Sequence, residues 1–397
     1  MNLLHICDHF YPDRAGGSEI VIYETARRLA KKGHRVSVVT LKSRESLAAE
    51  EEIEGMRVYR YTVKDLSNAA SSIPFSVRGL FKKVLNDRRP DVVHFHHTPS
   101  ALGVNMGLVP GGVKRVYSYY GPINEEFEIE RRNKNSKLSL SDRFKSRCYL
   151  LAERYNLKKC DRIVALSRYS IKQISELHGK DTAEKAVLIP GGIDTERFRY
   201  ADEDVRAELR KRFGFPDDAV IVLTVRRLVK RMGIDMLIEA FAGAARSNRT
   251  LYLVIGGIGP EKDALVGLTA TLGVRDRVSF RGFIPAESLV NHYQAADLCV
   301  LPTRDLEGFG LVTLEAMSTG TPVIGTAVGA TVEVLGGFDE DLLIREISPA
   351  GIREKLEKVL YDTGYLKRVR PLCRDYVLKN YSWDSAVESL ERVYEDS

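Results

Sequence analysis

Short apolar runs of strand length recur along almost the whole chain. Each is closed by a glycine- or proline-bearing loop and followed by a stretch with helical spacing. Leu3-Leu4-His5-Ile6-Cys7 opens the series. A loop from Asp8 to Gly17 follows, then a stretch from about Ser18 to Lys32 with apolar positions at Ile20, Ile22, Ala26, Leu29 and Ala30. That spacing places one apolar face on a helix, and Gly33 ends it. Val36 to Thr40 is the next strand. Strands alternating with helices in this order pair in parallel and build a doubly wound α/β sheet.

The alternation restarts halfway. Val187-Leu188-Ile189 runs into Pro190-Gly191-Gly192-Ile193-Asp194, a break suited to a domain boundary. Beyond it, Ala219–Val225, Leu251–Ile255, Val278–Arg281 and Asp297–Leu301 read as strands with helices between. A chain of 397 residues fits two domains of about 200. The boundaries expected are 1–195 and 196–379. Within the first half, Pro74–Asn86 and Ser141–Lys159 read as helices, and the charged stretch Glu125–Lys137 as an exposed loop. The net charge of +6 suits anionic ligands or a lipid surface and gives no reason to expect nucleic acid. Five cysteines without metal-type spacing point to free thiols of a reducing cytosol. With no signal-peptide pattern and no apolar run of membrane-spanning length, a cytoplasmic protein is expected.

The chemistry-bearing residues cluster at strand ends. After Leu301 come a polar loop, Glu307, Gly308-Phe309-Gly310, and a helix that places Glu315 about two turns in. Backbone N–H groups from Gly308 to Val312 at a helix start suit a phosphate or a sugar edge, and a carboxylate beside them accepts from sugar hydroxyls. The plainer alternative is a loop carboxylate capping a helix. Gly16-Gly17 opens the first helix and permits close approach of a backbone or a phosphate, or is a plain tight turn. Arg226-Arg227-Leu228-Val229-Lys230-Arg231-Met232-Gly233 puts four cations on one strand-end loop, where they can neutralise a departing diphosphate. Gly256-Gly257-Ile258-Gly259 follows another strand and is no dinucleotide fingerprint. His94, His96 and His97 end the strand after Pro90. Alternation puts His94 and His96 on one face, and without a nearby acidic or cysteine partner at zinc spacing no metal site is expected.

Together these motifs resemble the GT-B-type nucleotide-sugar glycosyltransferases, specifically the retaining family four. The resemblance implies two Rossmann-like domains facing across a cleft, with a last helix, 380–397, crossing back to the first. It implies that Glu307, Phe309, Gly310 and Leu311 hold the donor sugar and Glu315 the ribose. Gly16 and Gly17 would face the donor diphosphate and the acceptor, Gly256, Gly282 and Phe283 would belong to the donor pocket, and His96 would contact a sugar or the acceptor. Many relatives carry a histidine where this chain has Tyr120. Relatives usually read Gly-Arg-Leu, three residues, Lys-Gly; Arg227 matches, and Met232 stands at the lysine position. Either Arg231 or Lys230 would then supply the second positive charge. The implied reaction is retaining transfer from a UDP- or GDP-linked sugar to a hydroxyl acceptor, in glycan, glycolipid or polysaccharide biosynthesis, with neither cofactor nor metal required. The acceptor would be a saccharide, a lipid-linked saccharide or a small metabolite. An epimerase of related fold and a non-catalytic sugar-nucleotide binding protein are the alternatives. The basic residues of 131–159 read as a solvated face, or as peripheral attraction to an anionic membrane.

Overall fold

The computed structural model describes residues 1–13, 16–64, 69–135 and 137–396; residues 14 and 15 of the first expected loop lie outside it. The chain divides into two compact units, Met1–Gly191 with Trp383–Ser397, and Gly192–Ser382.

The first unit runs β1 (Asn2–Ile6), α1 (Gly17–Lys31), β2 (Arg35–Leu41), β3 (Glu50–Ile53), β4 (Met56–Tyr61), α2 (Ala69–Asp87), β5 (Val92–Phe95), α3 (Thr98–Asn105), β6 (Lys114–Tyr119), α4 (Ile123–Asn135), α5 (Leu140–Lys159), β7 (Arg162–Ala165), α6 (Arg168–His178), α7 (Lys180–Ala183) and β8 (Ala186–Leu188). Its strand order is β3-β4-β2-β1-β5-β6-β7-β8. Every pair is parallel except the edge hairpin β3/β4. Central strands such as β5, Val92-Val93-His94-Phe95, are buried on both faces, which is why they read as mostly apolar runs. The acidic β3, Glu50-Glu51-Glu52-Ile53, has no such pattern and was not expected. Among the described residues it pairs only with β4, and charge on an edge strand opposes pairing with another chain.

Two helices differ from expectation. α2 begins at Ala69 rather than Pro74, because Ile73, ahead of the proline, is buried with Val77, Phe81 and Val84 and extends the apolar face. The expected loop Glu125–Lys137 is instead α4. Tertiary contacts decide it: the Phe127 ring meets Tyr149 of α5 at 5.3 Å, and Ser146 Oγ of α5 donates to Glu128 at 2.6 Å. α5 itself starts on a capping box between Ser139 and Asp142.

The second unit runs α8 (Glu203–Arg212), β9 (Val220–Val225), α9 (Ile234–Ala244), β10 (Leu251–Gly256), α10 (Lys262–Thr271), β11 (Val278–Gly282), α11 (Ala286–Ala295), β12 (Leu298–Leu301), α12 (Leu311–Ser318), β13 (Val323–Thr326), α13 (Thr331–Gly336), β14 (Leu343–Ile344), α14 (Pro349–Tyr361) and α15 (Thr363–Asn380). Its sheet is parallel throughout, in the order β11-β10-β9-β12-β13-β14. Its core is built by Leu237, Ile238 and Phe241 of α9 against Val222, Leu253 and Val300 of the strands.

A final helix, α16 (Trp383–Glu395), belongs to the first unit. Trp383, Val387, Leu390 and Tyr394 lie buried at helical spacing. Arg28 of α1 stands over the Trp383 ring at 5.9 Å, and Glu391 bonds His34 Nε2 at 2.8 Å. All five cysteines are free, and Cys148 alone of them is exposed. Among the described residues no helix is long and apolar enough to cross a membrane.

Candidate functional site

Each doubly wound sheet has one place where the strand order reverses, and ligands collect beyond the carboxyl ends of the two strands there. In the second unit these strands are β9 and β12. Arg226 is the first residue past β9, while Thr303 and Glu307 lie in the loop past β12. Three strand-end loops are locked together by backbone contacts. Arg226 donates its N–H to Gly256 O at 3.0 Å, and Gly257 donates to Gly282 O at 2.7 Å. A Cβ on Gly257, at φ +124°, would sit 1.8 Å from Arg226 O. The loop after β13 joins through Ala330, whose N–H donates to Glu307 O at 2.8 Å. Leu306, just before Glu307, holds a left-handed φ of +52° without being glycine, a sign of local strain.

Arg226 is buried at 8 % exposure. Its Nη2 donates to Glu307 Oε2 at 2.5 Å and to Thr303 Oγ1 at 3.1 Å, and it touches Met232 Sδ at 2.8 Å. Arg227, the expected cation, is exposed beside it. The two residues expected to supply the second charge are engaged elsewhere. Lys230 Nζ donates to Asp235 at 2.6 Å, a carboxylate shared with Arg304 and held below its usual range although burial opposes the shift. Arg231 Nη1 donates to Leu306 O at 2.8 Å, bracing the strained turn.

Phe309 is buried, with its ring 6.0 Å from Tyr381. Gly310 caps α12 in the left-handed region at φ +81°, so helix begins only at Leu311. Glu315 therefore lies just over one turn into α12, not two. It is buried and accepts from Tyr293 Oη at 2.8 Å; burial pushes its carboxyl above the ordinary range, against the hydrogen bond from Tyr293 and the charge of Arg197. Gly256 packs under Ile284, and Phe283 is exposed past Gly282.

In the first unit the reversal falls between β1 and β5. His5, His94 and His96 meet there, with nitrogens within 4.8 Å of one another. His96 bonds His5 Nδ1 through Nε2 at 2.9 Å and Tyr120 Oη through Nδ1 at 2.9 Å. His94 bonds Tyr394 Oη at 2.6 Å and Ser118 Oγ at 2.9 Å. His96, expected to reach a sugar, thus has neither nitrogen left for a hydroxyl in this geometry. A metal would have to displace these bonds at both His94 and His96. Gly16 and Gly17 open α1, but the Glu19 carboxylate lies against Gly16 and accepts from Ser18 Oγ at 3.0 Å. An anion at that terminus would meet a carboxylate first.

Burial holds His5 down to about 4 from an ordinary 6.5, and holds His94 and His96 low as well, with neighbouring imidazoles adding to the effect. Because the folded values are depressed, the unfolded chain binds protons first. The stabilisation is complete above about 6.5 and is lost as the pH falls through about 4. Calorimetry should show the first unit losing about 2 kcal/mol from His5 alone between pH 7 and 5. His5→Asn should flatten that drop; an identical drop in the variant would refute the assignment.

Arg226, Thr303, Tyr293 and His5 were not singled out from the sequence. Arg226 carried one signal: it stands where the related pattern has glycine, six residues before the methionine that stands for lysine.

Comparison with known proteins covers both halves. A family profile described as Glycosyltransferase Family 4 matches residues 15–197, and one described as Glycosyl transferases group 1 matches residues 205–375. A D-inositol 3-phosphate glycosyltransferase of Geodermatophilus obscurus is 29% identical over 397 residues, covering 96% of this chain and 84% of the relative. A sucrose-phosphate synthase structure from Thermosynechococcus elongatus superposes with a TM-score of 0.84 at 24% identity, over 99% of this chain and 98% of that one. An Anabaena protein solved in complex with UDP and glucose superposes at 0.78 with 17% identity, over 99% of both chains.

Proposed function

The chain belongs to the family-four glycosyltransferases of GT-B type, and from that premise we propose that it moves a sugar from a nucleotide diphosphate sugar to a hydroxyl acceptor with retention of configuration. The observation that carries this is the buried Arg226–Thr303–Glu307 cluster at the β9/β12 reversal, one loop from the start of α12. A cation there meets a departing diphosphate, and the amides opening α12 meet a polar sugar edge. Glu307 orients the sugar and Glu315 accepts from the ribose hydroxyls. Phe309, Gly310 and Leu311 shape the sugar side, Gly256, Gly282 and Phe283 the base side, and Arg227 reaches the diphosphate from the exposed rim. The acceptor oxygen attacks on the leaving-group side and a donor phosphate oxygen takes its proton. No cofactor or metal enters this scheme. UDP is the first donor nucleotide to test, since a neighbour of the same fold was solved with it. The named relatives favour transfer over epimerisation or binding without turnover.

The test is a thermal-shift panel of UDP, GDP, ADP and their common sugars on wild type and Glu315→Ala. One nucleotide at a hundredfold excess over its Kd should stabilise wild type by about 2.7 kcal/mol and leave the variant unmoved. No shift with any nucleotide would sink the donor site.

The acceptor side includes a membrane contact in this reading. On α5, Leu140 (86 % exposed), Phe144 (71 %), Cys148 and Leu151 line one outward stripe. Arg143 and Arg147 are exposed on one side of it, Lys145 and Lys159 on the other. Apolar residues flanked by cations suit an anionic bilayer surface. Wild type should co-sediment with phosphatidylglycerol vesicles at low salt, and Leu140→Ser/Phe144→Ser should not. Equal pelleting of the two would remove the stripe from the account.

A further inference from the structure

We propose that Arg226 is the buried cation that binds the donor diphosphate and receives the charge of the leaving group, its place made by the paired departures Arg226 and Met232. The inference rests on the nucleotide-sugar reading above and goes beyond it by assigning the charge to a residue that neither the spacing of the loop nor the related pattern marks.

Four cations lie on the loop after β9, and geometry sorts them. Lys230 is spent on Asp235, Arg231 on a backbone carbonyl, and Arg227 is exposed. Arg226 pairs with Glu307 at 2.5 Å. A guanidinium carries five donors. Here Nη2 serves Glu307 and Thr303, while Nε and Nη2 also face the Met232 thioether at 3.3 and 2.8 Å, a weak acceptor. Nη1 donates to no protein group among the described residues. Glu307, Thr303 and the thioether occupy the Nε and Nη2 side of this guanidinium and leave Nη1 open to a further acceptor. A diphosphate oxygen would complete that set.

The two departures explain each other. Arg226 replaces a glycine of the related pattern and Met232 replaces its lysine, and their side chains touch. A lysine at 232 would extend two atoms past the position of the sulfur, into the space the guanidinium fills. Both cations together would repel; glycine and methionine together would leave Glu307 without its buried partner. The charge has moved from one loop position to another, and its chemistry has changed from a point charge to a planar fork. In the transfer, the bond from the sugar anomeric carbon to the diphosphate oxygen breaks with its electron pair going to that oxygen. The acceptor oxygen bonds the anomeric carbon, and its proton passes to the diphosphate. Arg226 faces the oxygens on which the charge collects.

The experiment compares binding of UDP and of uridine, and turnover, in wild type, Arg226→Gln, Arg226→Lys and the exchange Arg226→Gly/Met232→Lys. Where the panel selects GDP or ADP, that nucleotide and its nucleoside are used. Arg226→Gln should lose about a hundredfold in UDP affinity with uridine binding unchanged, and Arg226→Lys should recover part. The exchange variant should return to within about tenfold of wild type, and its UDP affinity alone should weaken as pH rises toward the lysine range near 10. Should Arg226→Gln fail to fold, the exchange variant decides, because it keeps a cation against Glu307. Undiminished UDP affinity in Arg226→Gln, an equal loss of UDP and uridine, or a folded exchange variant that does not recover overturns the role of Arg226. Wild type that binds no nucleotide overturns the donor reading itself, and Arg226 with it.

Discussion

Glu307→Ala should cost the second unit about 3–5 kcal/mol, because it strands the Arg226 guanidinium without its carboxylate in a buried site. The loss should appear as a lower urea midpoint for that unit with little change in slope. On the proposed function, in which the carboxylate also orients the sugar, activity should fall further than stability explains, by about 10²–10³ in kcat. Glu307→Gln keeps the shape and one acceptor oxygen, so it should fold better than the alanine variant and still transfer slowly. Arg226→Met/Glu307→Leu removes both charges and should regain most of the lost stability with none of the activity. A Glu307→Ala protein within 1 kcal/mol of wild type would mean that the pair is not closed in solution.

Gly257→Ala should be about as damaging, for a reason with no charge in it. Its φ of +124° is one that side chains rarely adopt, and the added Cβ would sit 1.8 Å from Arg226 O. Two backbones held by sheet pairing must part, and strain with overpacking together cost about 3–4 kcal/mol. The shift would carry Arg226 with it, so nucleotide binding should fall alongside the melting temperature. Gly17→Ala is the contrast: a Cβ there meets nothing within 4 Å, and the residue is already helical. That variant should fold as well as wild type. Calorimetry of the two separates them, and equal melting temperatures would remove the close-approach argument.

The alternation of strands and helices was legible because strands such as β5 and β12 are buried on both faces and so are mostly apolar, with His94 the polar exception in β5. Elements stabilised by partners were not. α4 is charged along its length and holds through Phe127 and Glu128 against α5, contacts that no local pattern announces. The loops of the candidate site were found from their glycines and charges, yet the roles within them depended on direction. Lys230 and Arg226 are equally basic in the sequence; one faces Asp235 in partial exposure and the other faces Glu307 in the interior. The same holds for His96, whose partners are His5 of β1 and Tyr120 just past β6.

The first unit is encoded in two pieces, with the whole of the second unit between them. During synthesis the ribosome releases β9 through α15 before α16 exists. Until then Tyr394 is missing from His94, and the face of α1 that meets α16 stays bare. The second unit can therefore finish folding while its predecessor waits, reversing the usual order in which domains mature along a nascent chain. A message truncated just before Trp383 would yield a folded second unit tethered to an incomplete first one, a product that proteolytic quality control could recognise by its open face.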